Sequence, residues 1–333
     1  MSLVVVIGAG LSGCTVACTL ADRGIDVALI EKTDGIGGRV RSYGCKAFER
    51  CQNCGVCLTT GLWDKVLNHK KIRIIYNAEI KDISGKPGDF SITVKTSPDN
   101  IYFEEVRAVV ISTGFESLPG GISSHLHIDG THSIQGLITG TQLEELMLNR
   151  TGSVLFESEP NSIAFLQCLG SRDLNEGGLY CSRVCCSYST RAAKLMHHYY
   201  PECKITFFYM ELQNVKQGEY YTELLNLGVE FVKCRPLKIS CEKSITIEYD
   251  DPLVGIKRNN FDIVILSDGI HAGLDNNRLV EVCGVQQDKN GFLKAVGTAS
   301  GIYVTGCAKT PLKIDETYAD SLTVAGKILE KFL

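Results

Sequence analysis

No block of lysine or arginine interrupts this sequence, and a formal net charge of −4 leaves it without the basic surface that nucleic acid requires. No apolar run approaches the ~18 residues that a membrane span needs. The opening MSLVVVIGAG is apolar, yet no positively charged segment precedes it and it runs straight into a glycine motif. That is the pattern of a first core strand and not of a signal peptide. Repeats, low-complexity stretches and linkers are missing as well. The expectation is a cytoplasmic globular protein with no membrane insertion and no nucleic-acid partner. Its 333 residues suffice for two compact domains, and hydrophobic and charged fractions of 44% and 22% are ordinary. Cysteine is not ordinary. Fifteen thiols in such a chain, some at Cys-x-x-Cys spacing, point to metal or redox chemistry.

The first sixty residues carry a nucleotide motif in its proper setting. A short apolar run, Leu3 to Ile7, reads as a strand covered on both faces. Gly8-Ala9-Gly10-Leu11-Ser12-Gly13 follows, then a helical stretch to Arg23-Gly24, then a second strand from Asp26 to Ile30 that ends at Glu31. In a βαβ unit the first glycine permits the tight turn and the second lets the backbone approach a pyrophosphate. The third allows close helix–strand packing, and the helix N-terminus supplies N–H groups for the phosphates. Glu31 is placed to bind ribose hydroxyls, which argues against a 2′-phosphate there. Just past the acid, Gly37-Gly38-Arg39 resembles the second glycine pair of flavoproteins with two dinucleotide-binding domains. Ser112-Thr113-Gly114 resembles their Ala-Thr-Gly strand end, and Gly306, after the strand 301–305, stands where they approach the flavin and ribityl chain. Cys307 replaces the usual Asp. FAD is therefore expected, with Lys32, Ala78, Glu79, Lys313 and Ile314 as further candidate contacts beside Gly8, Gly10, Gly13, Glu31, Gly37, Gly38, Arg39, Thr113, Gly114 and Gly306.

The pattern predicts strands over 72–76, 90–95 and 109–114, a helix over 141–149, and irregular chain over 45–61. A second α/β block opens with Ile163-Ala164-Phe165-Leu166. Helices are predicted over 182–200 and 219–227, strands over 205–209 and 229–233, and a closing helix over 317–331. The expected architecture is α/β: a two-dinucleotide-binding-domain, thioredoxin reductase-like flavoprotein. Its Rossmann-type FAD domain comes in two pieces, residues 1–150 and 269–333, around an inserted smaller α/β domain at 151–268. In such proteins the inserted domain has its own Gly-x-Gly-x-x-Gly for a nicotinamide cofactor. Here its first strand runs into Gln167-Cys168-Leu169-Gly170-Ser171-Arg172 and no such motif follows, so electrons need another route.

Two cysteine sets stand out. Cys45, Cys51, Cys54 and Cys57 are spaced C-x5-C-x2-C-x2-C, and Cys168, Cys181, Cys185 and Cys186 are spaced C-x12-C-x3-C-C. Each supplies four thiolates, the number a cubane iron–sulfur cluster takes. In the second set, Cys185 and Cys186 fall in the first turn of the predicted 182–200 helix, whose N–H groups favour a negatively charged group. Structural zinc prefers two separated pairs, which neither set shows. A dithiol among Cys51, Cys54 and Cys57 exchanging disulfides beside the flavin, or inert buried thiols, are the other readings.

The stretch Phe165 to Asp173, with Tyr180-Cys181-Ser182-Arg183-Val184-Cys185-Cys186 after it, resembles the hallmark of the A-type subunits of heterodisulfide reductase. The likeness extends to the glycine motif, the Glu-Lys-x-x-x-x-Gly-Gly segment, the turn at Gly85-Lys86-Pro87-Gly88-Asp89, and residues 301–315. It implies FAD together with a [4Fe–4S] cluster held by Cys168, Cys181, Cys185 and Cys186, with Cys45, Cys51, Cys54 and Cys57 as a second ligand choice. It also implies a homodimeric oxidoreductase that distributes electrons to heterodisulfide reductase B- and C-like partners. Without a C-terminal ferredoxin-like stretch, the chain resembles the short form of sulfur oxidisers. At the flavin-side position five residues after Cys186, where the methanogen form has a Lys, stands Arg191. A guanidinium favours an anionic reduced flavin but offers little proton transfer. The alternative reading is a self-contained flavin-dependent thiol–disulfide oxidoreductase using Cys51, Cys54 and Cys57.

Overall fold

The computed structural model describes residues 3–118, 128–129, 134–150, 155–172, 178–213, 219–241, 244–297 and 300–331. The chain divides into two compact units, one formed by 1–41, 55–116 and 272–333, the other by 42–54 and 117–271.

The first unit opens with β1 (Leu3–Ile7), α1 (Leu11–Ala21) and β2 (Asp26–Ile30), continues with α2 (Leu62–Asn68) and β3 (Ile72–Ile75), and then forms the meander β4 (Glu79–Lys86), β5 (Asp89–Lys95) and β6 (Ile101–Ile111). The second unit holds β7 (Ile128–Asp129), β8 (Leu137–Thr139), α3 (Gly140–Asn149), β9 (Ser162–Leu169), α4 (Cys185–Tyr199), β10 (Lys204–Phe208), α5 (Glu219–Asn226), β11 (Glu230–Val232), β12 (Lys238–Cys241), β13 (Ile245–Asp251), β14 (Gly255–Phe261) and β15 (Ile263–Asp268). The chain then returns to the first unit with α6 (Asn276–Cys283), β16 (Gln286–Gln287), β17 (Leu293–Lys294), β18 (Ile302–Val304) and α7 (Ile314–Leu329).

In the first unit, β3, β2, β1, β6 and β18 run parallel, and β5 and β4 extend the sheet as antiparallel neighbours. β6 serves both parts. Its first half pairs with β5, and from Val106 onward it pairs with β1. The changeover falls at Glu105, whose φ of 56° marks a bulge. Side chains of β1 alternate: Val4 and Val6 pack in one core with α1 and α7 residues, Val5 and Ile7 in another with β4 and β5 residues. Both faces are covered, which is why the run is apolar throughout.

In the second unit the sheet order is β11–β10–β9–β15–β8, all parallel. Ile163 and Phe165 of β9 face a core shared with α3 and α4, while Ala164 and Leu166 face one shared with the small sheet β14–β13–β12–β7. The sequence reading leaves 238–261 without elements, although Ile245, Ile247 and Tyr249 alternate as a half-buried strand does. Besides the excursion of 42–54 into the second unit, the unit borders lie at 116/117 and 271/272, where the sequence reading puts 150/151 and 268/269. β8 pairs with β15, so the chain ahead of residue 151 belongs with the second sheet. Among the described residues no helix is long and apolar enough to cross a membrane.

Candidate functional site

Within the first unit the glycines do what the motif requires of them. Gly8 has φ +97°, and a Cβ there would lie 2.6 Å from the Ser112 carbonyl oxygen. A Cβ on Gly13 would lie 1.9 Å from the Gly8 oxygen, so α1 presses directly on the turn. A Cβ on Gly10 or Gly114, in contrast, would meet none of the described residues within 4 Å. Open space lies beside both, which at Gly10 is what a close approach to a pyrophosphate requires. Gly10 caps α1 without a side-chain hydrogen bond, and no acid occupies the first turn, which leaves the helix N–H groups for an anion.

Glu31 is tied to the same turn. Its Oε2 accepts from the Ala9 N–H at 2.7 Å, and its Oε1 accepts from the Thr33 N–H and hydroxyl at 2.9 and 2.8 Å. Gly37 bridges to Gly10, donating its N–H to the Ala9 oxygen at 2.8 Å, and Gly38 packs against the Gly10 Cα. Ala78 is buried and donates to the Glu31 carbonyl at 2.9 Å. Several candidate contacts also hold the unit together. Lys32 pairs with Asp275 at 2.9 Å and Glu79 with Arg278 at 3.5 Å. Arg39 donates to the Phe115 carbonyl at 3.0 Å and pairs with Glu116 at 2.6 Å. Thr113 follows Ser112, whose hydroxyl donates to the Ile7 and Gly8 carbonyls.

At Gly306 a Cβ would lie 1.9 Å from the Ser12 hydroxyl oxygen. The turn is fixed by Asp320 on α7, which accepts from the Gly306 N–H and the Thr305 hydroxyl, each at 2.9 Å, and pairs with Lys309. The sequence reading missed Asp320, because only the fold brings it to the turn. Lys313 stands at the N-cap of α7 and donates its N–H to Glu316 at 2.9 Å, and Ile314 packs on Gly55. Burial pushes the Cys307 thiol up, and it donates to the Leu312 carbonyl at 3.5 Å.

The second cysteine set lies wholly in the second unit. Cys168 is buried one residue before the end of β9 with φ 62°, and Arg172 and Arg183 share that left-handed conformation. Non-glycine residues hold such angles only where the surroundings over-determine them, and functional sites concentrate them. Here the loops are locked by Ser171 and Ser182, whose hydroxyls lie 2.7 Å apart, and the Ile270 N–H donates to Ser182 at 2.9 Å. Cys185 and Cys186 open α4, in its first turn as predicted. Burial pushes the Cys168 and Cys185 thiols up, and Cys186 to about 11. After burial, mutual repulsion adds to this: Cys181 acts on all three, and Cys168 on Cys185 and Cys186. The four thiols therefore share one field. Two guanidiniums oppose it, Arg172 and Arg235, and the latter donates to the Cys168 and Ser171 carbonyls at 3.0 and 3.2 Å.

A buried polar hub backs α4. Asp268 accepts from the Thr141 N–H and hydroxyl at 3.2 and 2.7 Å and from the Tyr188 hydroxyl at 3.4 Å, and its carbonyl accepts from Cys185 Sγ at 3.7 Å. Gly140 has no room for a Cβ, which would lie 2.3 Å from the Tyr188 hydroxyl.

Among the described residues no three His, Cys, Asp or Glu side chains gather closely enough to hold a metal ion. A single tetrahedral ion needs its sulfurs about 4 Å apart. A cubane spreads its irons over alternate corners and takes its four thiolates more widely spaced. Cys168, Cys181, Cys185 and Cys186 supply the four thiolates that a cubane takes, and the N-terminus of α4 with two guanidiniums suits a group of negative charge. The first set is not gathered in this way. Cys45, Cys51 and Cys54 belong to the second unit and Cys57 to the first, and all but Cys54 are exposed. Arg191 clamps part of it: its guanidinium donates to the Gln52 carbonyl at 2.8 Å, the Asn53 carbonyl at 3.1 Å and the Ser187 carbonyl at 3.2 Å.

Residues 6–61 match the model of the NAD(P)-binding Rossmann-like domain. Over nearly the whole chain the similarity is to heterodisulfide reductases. The second iron-sulfur A-type subunit of the CoB–CoM heterodisulfide reductase of Methanopyrus kandleri is 26% identical, covering 97% of this chain and 63% of that protein. The A-type subunit of the H2:CoB–CoM heterodisulfide, ferredoxin reductase of Methanothermobacter thermautotrophicus is 25% identical, covering 97% and 62%. The chain thus spans less than two thirds of the length of these curated relatives. Among solved structures, the thioredoxin reductase of T. acidophilum superposes with a TM-score of 0.66 at 18% identity, over 98% of this chain and 97% of that one. That of Lactococcus lactis gives 0.65 at 14%, over 99% and 98%. Over nearly its whole length the chain is thus similar to A-type subunits of heterodisulfide reductases, and it is built on the thioredoxin reductase-like fold.

Proposed function

We propose that this protein is the FAD- and [4Fe–4S]-containing electron-transfer component of a cytoplasmic heterodisulfide reductase-like complex in sulfur oxidation. It works as a homodimer with B- and C-like partner subunits, which carry the thiol or disulfide chemistry. The single observation that carries this reading is the placement of four cysteines in one unit, Cys168 on β9, Cys181 ahead of α4 and Cys185 and Cys186 in its first turn, where β9 leads into no dinucleotide motif.

When bound, the flavin handles electrons singly or in pairs and the cluster handles them one at a time. The chain's own residues prepare both places. Gly8, Gly10 and Gly13 keep the turn tight and open to a pyrophosphate, and Glu31 fixes that turn from below through Ala9. The raised thiols mean that cluster assembly must release protons, so iron uptake is weaker at low pH. Thr141, Asp268 and Tyr188 hold the first turn of α4 in place. The test is iron and acid-labile sulfide in three anaerobically purified proteins: wild type, Cys181→Ser and Cys54→Ser. Iron lost from the first variant and kept by the second supports the assignment. Iron lost only from Cys54→Ser moves the cluster to the first set, and no iron in any of them refutes the reading.

A further inference from the structure

Arg172 occupies a left-handed position, φ 57°, pinned by donation of its N–H to the Tyr180 carbonyl at 3.1 Å. Its guanidinium acts on the Cys168 thiol, opposing the rise that burial gives it. One arm, Nη2, pairs with Glu211 at 3.1 Å. The other, Nη1, is buried and meets no hydrogen-bond partner among the described residues. Buried guanidinium nitrogens seldom lack acceptors, so this one marks a place where an acceptor belongs. Sulfur carrying negative charge is such an acceptor. Two nearby carboxylates differ in how they are used: Asp268 is already satisfied by Thr141 and Tyr188, whereas Glu211 is the partner of Arg172 itself. Arg235 adds a second positive charge through its contacts to the Cys168 and Ser171 carbonyls.

A cubane held by four thiolates is anionic, and it gains a further negative charge with each electron. A fixed positive charge beside it stabilises the reduced form more than the oxidised one, and a hydrogen bond to sulfur acts in the same sense. Arginine suits the place because its planar fork holds Glu211 with one arm and keeps the other directed elsewhere.

We propose that Arg172 is a positioning residue that sets the reduction potential of the cluster, holding its midpoint above the value the four thiolates alone would give, with Glu211 as the counter-charge that moderates it. This rests on the assignment of the cluster to Cys168, Cys181, Cys185 and Cys186. The experiment is an EPR-monitored redox titration of the full chain, purified anaerobically, as wild type, Arg172→Gln, Arg172→Lys and Glu211→Gln. Arg172→Gln lowers the midpoint, Arg172→Lys recovers most of the difference, and Glu211→Gln raises it. A merely structural role for Arg172 would not move the potential in opposite directions for the two partners. Midpoints that stay with the wild type, in protein that holds its iron, overturn the inference and leave the cluster assignment standing. If Arg172→Gln loses its iron, the exposed Glu211 decides: an upward shift supports the inference, and an unmoved midpoint overturns it. Wild-type protein without iron overturns the cluster assignment, and this inference with it.

Discussion

Replacing Lys46 by Met tests the buried electrostatics of the second unit. Lys46 and Glu144 form an ion pair at 2.5 Å with side chains only 3% and 8% exposed, and the ammonium also donates to the Gly44 carbonyl at 3.0 Å. Burial pushes the Glu144 carboxyl up, and Lys46 pulls it back only in part. Removing one partner of a buried pair leaves an uncompensated charge and costs about 3–5 kcal/mol. For a unit of this size each kcal/mol lowers the melting temperature by about 2–4 °C, so Lys46→Met should lose on the order of 10 °C. The double variant Lys46→Met/Glu144→Leu should regain most of that loss, because an apolar pair of similar volume is often no worse than a buried ion pair. The pH profile gives a second check. Without Lys46 the folded-state carboxyl titrates above its unfolded value, so the folded state binds more protons. Stability then falls as pH rises from the usual carboxylate range to the raised value. The single variant should therefore be least stable, relative to wild type, at alkaline pH. Calorimetry of wild type, Lys46→Met, Glu144→Leu and the double variant between pH 5 and 8 measures it. A loss below about 1 kcal/mol for Lys46→Met, or a double variant no better than the single one, would refute the reasoning.

Other expectations follow from the same geometry. Gly13→Ala places a Cβ 1.9 Å from the Gly8 oxygen, so flavin retention should be abolished or the first unit should fail to fold, as read by absorbance and circular dichroism. Burial pushes the Asp320 carboxyl up, but Lys309, Gly306 and Thr305 together hold it below its usual value. Its contribution to stability is present above the unfolded carboxylate range and is lost as pH falls through the lowered one. Asp320→Asn should remove that acid limb from the unfolding profile. Arg191→Gln removes the charged donor to the Gln52 and Asn53 carbonyls, each bond worth about 1.5–3 kcal/mol. Hydrogen exchange over 51–54 should then quicken at least tenfold, and unchanged exchange would show that the clamp is not what holds the loop. Cys51→Ser and Cys54→Ser should leave iron content unchanged. Loss of single-turnover disulfide reduction in either would favour the self-contained thiol–disulfide enzyme.

The parts of the site that sequence reveals are those governed by local rules. Gly8, Gly10 and Gly13 are legible because strand, turn and helix follow one another within a dozen residues, and Glu31 because it ends the very next strand. The four cysteines of the second set are legible by their count and spacing, and the start of α4 lies three residues from where periodicity puts it. What is not legible depends on contacts between distant segments. Asp320 meets Gly306 only because α7 folds back over the turn. Asp268, Thr141 and Tyr188 come from three separate elements. Arg172 is an unremarkable arginine until Glu211 fixes one arm and burial isolates the other. The two-residue alternation of Ile245, Ile247 and Tyr249 is a local signal too, overshadowed by the stronger apolar runs on either side.

The central proposal is that the chain carries a flavin in its first unit and a cluster on four thiolates of its second, which exchange electrons. Iron and acid-labile sulfide per flavin, measured on anaerobically purified protein alongside EPR of the dithionite-reduced sample, test it most directly. The account predicts about four irons per FAD and the signal of a single reduced cubane. Flavin present with neither iron nor sulfide, in protein whose cysteines are intact, would contradict it.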